Sequence, residues 1–82
     1  MIYNMYTIFD RCTAMYGDPF IAVNDDDCKR KISYSFRENP YKADLVLYRL
    51  GTFAPNTGIL APSINPEMVC NVIECYEVSD NE

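Results

Sequence analysis

Eighty-two residues with a formal charge of −5 and a pI near 4.5 make one small acidic domain. That balance argues against a general duplex-DNA binder, whose phosphate contacts call for a positive excess. A hydrophobic content of 49%, with seven Tyr and four Phe, excludes a disordered chain, and the lack of any histidine removes the commonest general base and every Ser–His or Cys–His dyad.

A domain of this size buries only about 60–65% of its unfolded surface, so a lone monomer is marginal and a homodimer is expected, built on a sheet edge or an apolar sheet face. The first residues lack the basic start and apolar core of a secretory signal, and no apolar run approaches the ~20 residues of a membrane span. The expectation is a soluble protein with no membrane partner, acting inside the cell that makes it.

In chain order, Ile2 to Phe9 reads as a strand. Tyr3, Met5, Thr7 and Phe9 share one face and Ile2, Tyr6 and Ile8 the other; apolar on both faces, it should be central. Cys12 to Tyr16 is ambiguous. Gly17-Asp18-Pro19-Phe20 is a turn, and Phe20 to Val23 is a short strand or a buried loop anchor.

Asn24-Asp25-Asp26-Asp27 is a helix start, with Asn24 as N-cap and three carboxylates against the positive end of the dipole. Cys28, Ile32 and Phe36 recur at steps of four and form an apolar stripe. The basic residues Lys29, Arg30, Lys31 and Arg37 fall on other faces, toward the C-terminal half. Asn39-Pro40 ends the helix, which is predicted over about Asp25 to Glu38.

Asp44 to Leu60 is the strongest local signal: an apolar run, Leu45 to Phe53, a turn cluster, Ala54-Pro55-Asn56-Thr57-Gly58, and a second apolar run. It predicts a β-hairpin. Ala61 to Glu67, with two prolines, reads as a loop. Met68 to Val78 is a closing strand by its β-branched content, with a helix as the alternative. Residues 1–78 form the single domain, and Ser79 to Glu82 an acidic disordered tail. The predicted class is α+β: a small antiparallel sheet of three or four strands with one helix packed on a face.

Cys12, Cys28, Cys70 and Cys75 read as free thiols, since the spacings lack the short Cys-x-x-Cys pairs of a zinc site and no export signal favours disulfides. In one strand Cys70 and Cys75 would face opposite sides and not bridge. Consecutive aspartates on a helix point about 100° apart, so Asp25-Asp26-Asp27 reads as a capping run and not as a metal site. No enzyme, metal or cofactor is expected. Lys29, Arg30, Lys31 and Arg37, with Arg49 of the hairpin, are the candidate DNA contacts; the competing reading is a solvated helix face.

The order of motifs resembles the small nonstructural protein of gokushoviruses, the Microviridae branch first described from chlamydial phages. The resemblance rests on the N-terminal strand ending at Asp10, Gly17-Asp18-Pro19-Phe20, Asn24-Asp25 opening a helix with Arg30 and Phe36, and Asn39-Pro40. It continues through Asp44, Leu47-Tyr48-Arg49-Leu50-Gly51-Thr52-Phe53 and Asn56-Thr57-Gly58, and covers about Tyr6 to Leu60. The cysteines and the acidic tail lie outside it. It implies a nonenzymatic role, by analogy with the C protein of related microviruses, in single-stranded DNA genome synthesis and packaging in the host cytoplasm. The implied partners are phage single-stranded DNA or replication and procapsid proteins. The acidic charge supports an alternative: a protein-interaction module, with or without DNA mimicry, acting on a replication or capsid protein.

Overall fold

The computed structural model describes residues 1–75. The expected tail, Ser79 to Glu82, and the end of the closing segment, residues 76–78, lie outside the described residues. Strand β1 (Tyr3–Asp10) is central, as its two apolar faces require. One of its edges pairs antiparallel with β4 (Leu45–Ala54); the other carries two short strands, β2 (Met15–Tyr16) and β3 (Phe20–Ala22). Strand β5 (Ile59–Asn71) flanks β4 and closes the far side of the sheet. Helix α1 (Asp25–Ser35) follows β3, and a single 3-10 turn (Lys42–Asp44) leads into β4.

The expected α+β class with three or four strands is corrected. The sheet has five antiparallel strands; strand takes 48% of the described chain and helical turns 21%, so the protein is mainly β. Two features account for the difference. The punctuated stretch from Met15 to Ala22 yields two short strands on one edge of β1. The proline-bearing stretch Ala61 to Glu67, expected as a loop, belongs to β5. Proline is tolerated there because, among the described residues, β5 is an edge strand with no ladder on its outer side.

β5 is not regular. Arg49 pairs with Glu67 and Gly51 with Pro62, so the single residue Leu50 faces four residues, Ser63 to Pro66. This bulge carries Ile64, which is 98% exposed, at its crest. Opposite it, Gly51 has φ +147, and a side chain there would meet the backbone of Ala61 and Pro62. The hairpin turn forms as expected, with the Gly58 amide donating to the Ala54 carbonyl at 2.7 Å and Gly58 at φ +77.

Helix α1 starts as read from the sequence: the Asn24 side-chain oxygen accepts from the Asp27 amide at 2.8 Å. It stops at Ser35 instead of Glu38, capped by the Phe36 amide on the Ile32 carbonyl, and its last turn holds no basic residue. Cys28 and Ile32 are buried against Tyr6, Leu45, Leu47, Cys70 and Val72, with Phe36 at the rim. The closing strand ends at Asn71. The chain then turns, with the Val72 amide on the Leu45 carbonyl and the Cys75 amide on the Val72 carbonyl. That turn overturns the expectation that Cys70 and Cys75 face apart: both are buried and their Sγ atoms lie 3.9 Å apart.

Candidate functional site

The sheet has two unlike faces. On the helix side, the first turn of α1 meets the middle of the sheet through Asp25. The Tyr6 hydroxyl donates to Asp25 Oδ1 at 2.6 Å and accepts from Asn4 Nδ2 at 3.0 Å. Arg49 donates through Nη1 to both Asp25 oxygens, at 3.1 and 3.2 Å, and through Nη2 to Glu67 at 3.1 Å. One network thus ties β1, β4, β5 and α1. Burial, and then the bond to Asp25, push the Tyr6 hydroxyl well above its ordinary value, which keeps it a donor.

Of the five candidate DNA contacts, three are paired with carboxylates. Arg49 sits between Asp25 and Glu67. Arg30 and Lys31 both pair with Asp27, at 2.8 and 3.2 Å. The amide of Val23, then Lys31 and Arg30, hold the Asp27 carboxyl below the usual carboxylate range. Arg37 lies beyond the helix, in the turn that follows Ser35, with its guanidinium 5.3 Å over the exposed Tyr34 ring. Lys29 is half-buried on α1 and forms no ion pair among the described residues.

The other face of the sheet is different in kind. Pairing register puts Tyr16, Phe9, Val46 and Asn71 in one row and Thr7, Tyr48 and Met68 in the next. Ile21, Met5, Gly51 and Pro62 follow, then Tyr3, Phe53 and Leu60. No residue in these rows is charged. Phe9, Tyr16 and Tyr48 pack as a triad with ring centroids 4.7 to 6.1 Å apart. The alternation in β1 already placed Tyr3, Met5, Thr7 and Phe9 together. What sequence reasoning missed is that Tyr16, Tyr48, Phe53 and Met68 join them, because that depends on non-local pairing and on the bulges that set its register. At one end of this face Arg11 donates to the Ala43 carbonyl and the Asn71 side chain, both neutral acceptors.

Among the described residues no three His, Cys, Asp or Glu side chains converge as a metal site. No helix there is long and apolar enough to cross a membrane. Cys28, Cys70 and Cys75 are core residues and Cys12 is exposed. The fold and its surfaces therefore define a small mainly-β protein with two unlike sheet faces. The family model for the phage ORF5 protein matches residues 3–75, and the chain belongs to that phage protein family. No match is found among curated proteins. None is found among solved structures.

Proposed function

We propose that this chain is a nonenzymatic phage accessory protein that acts in single-stranded DNA genome synthesis and packaging, in the host cytoplasm, by binding a replication or procapsid protein. Membership of the phage ORF5 family supplies the phage setting. The motif order shared with the gokushovirus nonstructural protein supports the process. The observation that carries the choice of a protein partner is the pairing of basic groups. Three of the five candidate DNA contacts, Arg30, Lys31 and Arg49, are already held by Asp25, Asp27 and Glu67, within a chain of net charge −5. Phosphates would have to displace those carboxylates and then face an acidic surround.

The test is capture by immobilised full-length chain of the phage initiator, the host helicase and the coat protein. Retention of one of them at moderate salt is expected; an empty result across all three would remove this reading. A second reading, direct contact with single-stranded DNA, is favoured by one observation. The exposed Tyr34 ring with Arg37 over it offers stacking and charge together. Titration of a labelled oligonucleotide separates the two: strand contact gives binding that weakens steeply with salt, and no binding at low salt excludes it.

A further inference from the structure

We infer that the uncharged sheet face is a homodimer interface, on which a second copy of this chain packs sheet to sheet. Three observations carry it. First, the face spans all five strands and holds Tyr3, Phe9, Tyr16, Tyr48, Phe53 and Met68 without one charged side chain. Antiparallel sheets normally leave polar residues on a face that meets water; an apolar face is one that is covered. Among the described residues Thr7 and Val46 at the middle of the face are buried, but Tyr16, Met68 and Leu60 along its margins are 49%, 56% and 58% exposed, so apolar surface on both sides of the face stands open.

Second, the distribution of charge favours a second copy over a charged partner. Two chains of −5 repel when their ionic surfaces meet. Here the ion pairs of Asp25, Asp27, Arg49 and Glu67 are on the helix side, and apposed sheet faces keep them apart by two sheet layers, with about 10 Å between the sheets. Third, the size fits. Four strands abreast at ~4.8 Å and about seven residues of β1 at ~3.4 Å each make roughly 450 Å² of flat face. Side-chain relief brings that to the order of the ~800 Å² of accessible surface that each partner buries in a standard interface. Nucleic acid is the poorer occupant, since none of these rows supplies a cation and Arg11, at one end, already donates to the Ala43 carbonyl and the Asn71 side chain.

Sedimentation equilibrium of the full chain at about 1 to 100 μM tests this. The expected species is a dimer at twice the 9.5 kDa chain mass. Met68→Glu puts a carboxylate into the face at an exposed position, where the monomer folds with it, and should weaken dimerisation by about tenfold or more. Leu60→Lys serves as the second variant should circular dichroism show Met68→Glu misfolded. Tyr34→Glu, on the helix side, should leave the dimer unchanged. A monomer across the whole range overturns the inference. So does a dimer that Tyr34→Glu breaks and the face variants do not, or one that a thymidine oligonucleotide dissociates by taking the face. The inference stands apart from the accessory role: a monomeric chain that still captures a replication protein would overturn the dimer alone.

Discussion

Arg49 and Asp25 meet at 3.1 Å, joining the bulged middle of β4 to the first turn of α1. Their side chains are 34% and 38% exposed, so solvent screens the pair, and Arg49→Met should cost only about 0.5–1 kcal/mol. Asp25→Ala does more. It also strips the buried Tyr6 hydroxyl of its acceptor, leaving a polar group without its charged partner, and should cost about 1.5–3 kcal/mol. Urea unfolding of both single variants and the double variant measures this. If Asp25→Ala proves no worse than Arg49→Met, the Tyr6 bond contributes nothing.

Gly51 is held at φ +147 with the β5 backbone against it; an added Cβ would lie 2.7 Å from Pro62 Cα and closer still to the Ala61 carbonyl oxygen. Neither atom belongs to a flexible side chain, so the strand itself must move. Gly51→Ala is expected to cost about 2–4 kcal/mol and to loosen β5. Gly58→Ala, at φ +77 with open space around it, meets only the backbone penalty of about 1–2 kcal/mol. Thermal melts of the two variants should therefore differ clearly. Equal melting points would mean that the β4–β5 contact at Gly51 is slack.

The contrast between these glycines shows what was legible in the sequence. Local signals were: the Asn24 cap, the Cys28–Ile32 stripe, the central position of β1 and the turn at Gly58 all rest on neighbours within about four residues. Pairing was not. Pro62 and Pro66 read as breakers because nothing local says that their strand is an edge. The reversal after Asn71 that brings Cys75 to Cys70 rests on the Leu45 carbonyl, 27 residues from Val72 in sequence. Arg49 meets Asp25 and Glu67 for the same non-local reason, across 24 and 18 residues of sequence. Lys29, Arg30, Lys31 and Arg37 were grouped by helical spacing, but the helix ends before Arg37, and Asp27 one turn earlier binds two of them.

Asn24 and Asp27 fix the start of α1 reciprocally: Asn24 accepts from the Asp27 amide, and Asp27 Oδ2 accepts from the Val23 amide at 3.2 Å. Asn24→Ala should cost about 1 kcal/mol. Asp27 adds a pH dependence. Its carboxyl is held below the ordinary value of 3.8, so the folded state binds its proton less readily than the unfolded one. The stability it contributes is present above that value and lost as pH falls through the lower folded one. Asp27→Asn should therefore flatten the acid limb of a stability–pH curve below about pH 4. An acid limb that stays as steep as in the parent chain would assign the loss to other carboxylates.

Cys28 makes the opposite prediction at alkaline pH. Burial first, and then the charge of Asp25, push its thiol from an ordinary 9.0 up to about 12. Above pH 9 the unfolded chain gives up this proton while the folded chain keeps it. The folded state then binds more protons, and stability falls as pH rises toward the folded value, by up to about 1.4 kcal/mol per pH unit for this one group. Tyr6, raised by burial and by its bond to Asp25, adds to the slope at higher pH, whereas the bond between Cys70 and Cys75 raises one thiol and lowers the other and so largely offsets itself. Cys28→Ala removes one titrating group. It should lower stability at pH 7 by about 1 kcal/mol, through the small cavity it leaves, yet narrow its deficit against the parent chain as pH rises from 9 to 11. Urea midpoints under reducing conditions at pH 7, 9 and 11 measure both effects. Parallel lines for the two proteins over that range would mean that the Cys28 thiol ionises as readily in the core as in the unfolded chain, and that water reaches it there.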